Sequence, residues 1–188
     1  MRSARTRVVQ GVGVLIALAA LVVVFFWLNR PGAADGVSAV DVEDSAGTLP
    51  TVDQPAPGFT ATTIDGEEIS LDGFEGRPVW LIVNATWCSS CRSEIPDVQA
   101  IQASDLGDQV EILSVYIGED AAAVSQFAER LGLTYRNVPD PDSAISAVYS
   151  VPGIPVHYFI DSDGVLRAIE IGSLGISRME EQLEMVIG

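Results

Sequence analysis

Val79 to Ala85 read VWLIVNA, seven residues without a charge. That is the length and composition of a strand buried on both faces. Such a strand must be covered above and below, which forces a layered α/β arrangement. Directly after it comes Thr86-Trp87-Cys88-Ser89-Ser90-Cys91. From Ser89 to about Ser104 the spacing predicts a helix, kinked at Pro96, which has no N–H to give. The chain has only two cysteines, and both stand where the strand hands over to this helix.

The flanking sequence alternates in the same style. FTATTI (59–64) and EEISL (67–71) flank Asp65-Gly66, a strong hairpin signal. VEILSVYI (110–117) predicts a second buried strand. Asp120 to Leu131 carries Val124, Phe127, Ala128 and Leu131 at helical spacing and stops at Gly132. The run PDPD (139–142) reads as a turn, followed by a short helix near Ser143 to Tyr149. VHYFI (156–160) and VLRAIEI (165–171) flank the DSDG turn as another hairpin, and Ile176 to Ile187 predicts an amphipathic helix. The sum is an α/β sheet with helices on both faces.

Toward the N-terminus, Val8 to Leu28 holds 21 residues without a charge. At about 1.5 Å per residue it would cross a hydrocarbon core of about 30 Å. A cleaved signal peptide has a shorter apolar stretch, about 7–15 residues, so a transmembrane signal anchor over 8–28 is the expectation. Phe25, Phe26 and Trp27 stand where an interfacial aromatic belt belongs. Arginines precede the span and acids follow it. Residues 1–7 are therefore expected as a cytoplasmic stub, with everything past the span extracytoplasmic. Residues 29–53, rich in Gly, Pro, Ala and acids, read as a flexible acidic linker ahead of a folded domain over 54–188.

Charge narrows the partners. All ten basic residues are arginine, against 26 acids, for a net charge of −16. Past residue 30 only six arginines remain to face those acids. Phosphate backbones would repel such a domain, so nucleic acid is excluded as a partner. With no lysine and His157 as the sole histidine, lysine-based and multi-histidine chemistry are excluded too.

Three uses compete for Cys88 and Cys91. A disulfide closing a four-residue loop stabilises by only about 2 kcal/mol, against about 4.7 for a 100-residue loop, so it is a poor staple. Structural zinc needs four ligands, which two cysteines and one histidine do not supply. Soft Cu(I) can sit between two thiolates, so a copper-binding module stays open. Redox exchange uses the position itself. A cysteine at a helix N-terminus has its thiolate stabilised, and one a turn further in is placed to attack a mixed disulfide. A Cys88–His157 hydrolase would leave Cys91 without a role.

The pieces APGFTATTIDGEEISL, EGRPV, ATWCSSCRSEIP and VPGIPVHYFIDSDGV, with the later Gly172, resemble the membrane-anchored thioredoxin-like proteins of the TlpA/ResA type. Their periplasmic relatives include the CcmG/DsbE proteins. The resemblance covers roughly Gln54 to Gly172, in order. It implies a thioredoxin fold, a central mixed sheet with helices on both faces, bearing an N-terminal β-hairpin and a central αβ insert. It also implies thiol–disulfide oxidoreductase activity without a cofactor or metal. By position, Cys88 would attack and Cys91 resolve. Pro155 would be the family's cis-proline, with Ile154 before it offering backbone to a substrate. Glu94 would tune the thiols, and Trp87 would form a contact surface for partners.

The family further implies as partners cysteine-containing exported proteins, apocytochrome c among them, and a membrane thiol reductant of the CcdA/DsbD kind. This sequence departs from the pattern in places. Asn84 falls within Val83-Asn84-Ala85, where Phe-Trp-Ala is usual, and is expected to finish the strand. Ser90 stands where proline is common, which leaves reductase or oxidase open. Thioredoxins proper carry an acid six residues before the first cysteine; here that place holds Ile82. The peroxiredoxin proline and threonine places hold Leu81 and Ala85, which argues against peroxide reduction. His157 is expected as an ordinary strand side chain.

Overall fold

The computed structural model describes residues 20–21, 41–42 and 50–188. In chain order the strands are β1 (Asp41–Val42), β2 (Phe59–Thr62), β3 (Glu68–Ser70), β4 (Val79–Asn84), β5 (Glu111–Ile117), β6 (Arg136–Asp140), β7 (Val156–Ile160) and β8 (Leu166–Ile171). The helices are α1 (Ser89–Gln102), α2 (Ala121–Leu131), α3 (Ala144–Val148) and α4 (Ile176–Ile187). Ala20 and Leu21 are helical and exposed; the rest of the expected span over 8–28 lies outside the described residues. Among the described residues no helix is long and apolar enough to cross a membrane.

Every residue of β4 is buried, as its continuous apolar run requires. It runs parallel to β5 and antiparallel to β7, in a five-stranded mixed sheet ordered β6-β5-β4-β7-β8. Alternate side chains feed two cores. Val79, Leu81 and Val83 join Phe59, Ile69 and Leu71 of the N-terminal hairpin, with Ile145 and Tyr149. Trp80 and Ile82 point the other way, to Val98 and Ile101 of α1 and Met179 and Leu183 of α4. The helices therefore cover both faces, and the fold is that of thioredoxin.

The β2–β3 hairpin turns through Gly66 at φ 81°, a left-handed conformation that suits glycine. Within the stretch read as a linker, β1 pairs with β2. Asp53 donates its N–H to the Leu166 carbonyl at 2.7 Å and pairs its carboxylate with Arg167 at 2.8 Å. Residues 43–49 lie outside the described residues. The segment α2–β6 is an αβ unit between β5 and α3. α2 starts on the Asp120 side chain, which accepts from the Ala123 N–H, and ends at left-handed Gly132. α1 stays helical across Pro96.

One expectation is corrected. Pro139 and Asp140 are not the start of a turn but the end of strand β6, which pairs in parallel with β5. β6 is an edge strand, the one place in a sheet where a proline without an N–H is tolerated. Asp140 then acts as a buried anchor for α3. Its carboxylate accepts from the N–H groups of Ile145 (3.2 Å) and Ser146 (3.0 Å) and from the Ser146 hydroxyl (2.7 Å).

The β7–β8 turn is held by Asp161. Burial alone would raise its carboxyl, but the N–H of Val165, the Arg167 guanidinium and the N–H of Asp163 outweigh it and hold the group below its ordinary value. A depressed carboxyl stabilises the fold above its unfolded value, about 3.9, and that stabilisation is lost as pH falls through the lower folded value. Asp161→Asn should therefore be less stable than the native chain by about 1 kcal/mol at neutral pH. Urea midpoints taken against pH should converge below the ordinary aspartate range.

Candidate active site

β4 ends at Asn84, whose side-chain amide donates to the Ser114 hydroxyl of β5 at 2.7 Å and ties the strand end to its neighbour. The chain turns through Ala85 and Thr86 as the Cys88 N–H returns to the Ala85 carbonyl at 3.1 Å. That turn makes Cys88 the cap of α1. Its sulfur accepts from the Cys91 N–H at 3.2 Å, one of the donors a helix leaves unpaired at its first turn. The Ser90 hydroxyl lies 3.3 Å from the same sulfur. Cys88 and Cys91 are joined as a disulfide, their Cα atoms 5.3 Å apart, and both are largely covered.

The opposite wall is the segment before β7. Ile154 and Pro155 are joined by a cis peptide bond, and the Ile154 carbonyl oxygen lies 4.0 Å from Cys88 Sγ. Pro155 is buried and Ile154 half-buried. The Pro155 carbonyl accepts from the Gly172 N–H at 2.8 Å, which fixes the segment against the end of β8. Trp87 is 69% exposed beside the sulfurs, a large apolar surface without cover. Cys88, Trp87, Ile154 and Pro155 thus converge, although 66 positions separate the sulfur from the carbonyl it faces.

Glu94 lies one turn beyond Cys91 on the buried face of α1. It is only 3% exposed. Its Oε2 accepts from the Leu174 N–H at 3.1 Å and lies 3.4 Å from Nε2 of His157, which is fully buried. The Tyr135 phenol is raised well above its ordinary range, first by burial, then by Tyr116 and by the Glu94 carboxylate. Among the described residues, no group of three or more His, Cys, Asp or Glu side chains is placed to hold a metal ion.

Two contacts escaped the sequence reading. Glu119, after β5, accepts from both the N–H of Thr86 (2.7 Å) and its hydroxyl (2.5 Å). It clamps the turn that presents Trp87 and Cys88. Ser173 donates to the Ser90 carbonyl at 3.0 Å, linking the end of β8 to the first turn of α1. Both pairs join residues far apart in the chain and carry no local pattern. Only the strand order, which places β5 and β7 beside β4, brings them together.

A redox pair capping the helix that follows the central strand, on this sheet order, makes the protein a thioredoxin-like thiol–disulfide oxidoreductase. The chain belongs to the AhpC/TSA family, whose model matches residues 52–169. It is 33% identical over 139 residues to the thiol-disulfide oxidoreductase ResA of Geobacillus kaustophilus, covering 74% of this chain and 80% of that protein. It is 32% identical over 135 residues to the thioredoxin-like protein YneN of Bacillus subtilis, covering 70% and 78%. Among solved structures, a thiol:disulfide interchange protein of the thioredoxin family from Chlorobium tepidum matches with a TM-score of 0.65. The two are 26% identical, and the match covers 76% of this chain and all of that one.

The Glu119 clamp is testable. Glu119→Ala leaves the half-buried Thr86 N–H without its acceptor, which should cost about 1–3 kcal/mol in chemical denaturation. Thr86→Val keeps the backbone bond and should cost less.

Proposed function

We propose that the chain is an extracytoplasmic reductase of disulfides in exported proteins, held to the membrane by a single-pass anchor over 8–28 with its N-terminus in the cytoplasm. The observation that carries the chemistry is the hydrogen bond from the Cys91 N–H to Cys88 Sγ at the start of α1. A helix N-terminus stabilises negative charge there, so Cys88 reacts as the thiolate. It attacks one sulfur of a substrate disulfide and forms a mixed disulfide, releasing the other sulfur as a thiolate. Cys91 gives up its proton, attacks Cys88 Sγ and expels the second substrate thiolate. The substrate gains two electrons and the Cys88–Cys91 pair loses them.

Glu94 is the acceptor for the Cys91 proton, being the buried carboxylate on the next turn. Trp87, Ile154 and Pro155 form the surface on which an extended substrate segment lies, with the Ile154 backbone offered to it. Apocytochrome c fits as substrate, because the thiols of its C-x-x-C-H motif must be reduced before haem attachment. The disulfide left on the enzyme is reduced again by a membrane thiol carrier of the CcdA/DsbD kind. The name of the ResA relative, an oxidoreductase of thiols and disulfides, supports the reaction class.

Cys91→Ser should accumulate mixed disulfides with its substrates in cells, resolvable by reductant on a gel, whereas Cys88→Ser should capture none and lose exchange. Glu94→Gln should slow decay of the mixed disulfide by about 10²-fold. A potential near or below thioredoxin's, about −270 mV, supports a reductase; a value near −120 mV would make the protein an oxidant.

A further inference from the structure

The sole histidine of the chain lies where a histidine is costly. His157 on β7 is fully buried, and among the described residues neither ring nitrogen has a hydrogen-bond partner. The adjacent Trp80 Nε1 is unpartnered as well, with the two rings 5.9 Å apart. A buried polar group left unpaired is costly, so a histidine in this place is not explained by packing. The nearest charge to the imidazole is Glu94, 3.4 Å from Nε2.

The other elements packed on this ring offer no rival: α4, which packs on β7, buries Met179, Gln182, Leu183 and Val186, all uncharged. β4 presents Ile82, its cross-strand neighbour, and Trp80, both uncharged. β8 presents Glu170, its partner on the other side, but that carboxylate is taken up by Arg178 of α4. The segment before β6 presents Tyr135, whose phenol burial keeps protonated. α1 presents Cys91 and Glu94 on one face. Among the described residues, Glu94 is thus the one carboxylate facing the ring without an arginine.

We propose that His157 and Glu94 form a buried pair that holds the proton exchanged with Cys91, His157 being a positioning residue that acts through Glu94. This rests on the reading of Cys91 as the resolving thiol. Before resolution the proton is on Cys91, and the buried pair stands 3.4 Å apart between Oε2 and Nε2. As Cys91 loses its proton, Glu94 takes it, and the pair becomes neutral with the proton shared between Oε2 and Nε2. The Cys91 thiolate forms its bond to Cys88 Sγ, the bond from Cys88 to the substrate breaks, and the substrate thiolate leaves and is protonated by water. When the enzyme disulfide is later reduced, the departing Cys91 thiolate recovers the proton from the pair.

A chain with one histidine gives a single imidazole signal, so the test begins with the native full-length protein labelled with ¹⁵N-histidine. Ring-nitrogen shifts followed from about pH 5 to 8 should describe different protonation curves in the disulfide and dithiol forms. Glu94→Gln should abolish that difference. Superimposable curves in the two redox forms overturn the proposal. In rapid-mixing kinetics with a small peptide disulfide, His157→Gln should slow decay of the mixed disulfide about tenfold or more and flatten its pH profile. The double variant should be no slower than Glu94→Gln alone; additive losses mean the two residues act separately and sink the pair. Should His157→Gln not fold, the spectra of the native protein decide. A native protein that exchanges no disulfide overturns the resolving-thiol reading as well. Active exchange with a redox-indifferent His157 overturns the pair alone.

Discussion

The site depends on the pairing of β4 with its two neighbours. Val79 to Asn84 is buried on both faces and hydrogen-bonded along both edges, so its position admits little adjustment. Its C-terminal end delivers the two cysteines, and Val83 opposite Val156 sets β7 so that Pro155 arrives beside Cys88. The same register sets His157 opposite Ile82, on the face covered by α1. A slip of one residue along β7 would turn His157 to the hairpin side and carry Pro155 away from the sulfur. One strand register thus aligns the reacting sulfur, the wall it faces and the buried polar group behind it.

That dependence explains what was legible in the chain. The apolar run of β4, the helix after it, the Asp65-Gly66 turn and the two thiols are local signals. Each was readable because period, turn chemistry and spacing act within a few residues. β6 was missed because Pro139 and the following Pro141 outweigh Val138 in any local reading, and only the edge position excuses a proline there. Glu119 was missed because an acid after a strand is ordinary; its contact with Thr86 spans 33 positions. For the buried ionisable group, a search along β4 meets only Ile82. The group is on the next strand, at His157, and strand pairing is not written in either segment alone.

The two sulfurs meet different physical demands although they sit three residues apart. The helix N-terminus supplies unpaired N–H groups only over its first turn, and the Cys91 N–H is directed at Cys88 Sγ. In the proposed exchange the donor that stabilises the Cys88 thiolate thus belongs to the backbone of Cys91. The next N–H along, that of Arg92, already bonds within the helix to the Cys88 carbonyl at 3.1 Å. In the proposed cycle the Cys91 sulfur gains less from the helix end, and a side chain receives its proton.

The proposed acceptor, Glu94, is buried and lies on the α1 turn that follows Cys91. The turn of α1 places it on the Cys91 side, and the Leu174 N–H at 3.1 Å holds one oxygen. The cores of α1 and α4 exclude solvent. An isolated carboxylate in such a place carries a large desolvation cost, and a single backbone donor offsets part of it. A neighbouring imidazole changes the balance, because the pair can become neutral by taking up one proton without moving any atom of the backbone. In the proposed pair, the same enclosure that makes His157 costly as a structural residue would strengthen the Glu94–His157 contact, since charge interactions grow as the local dielectric falls.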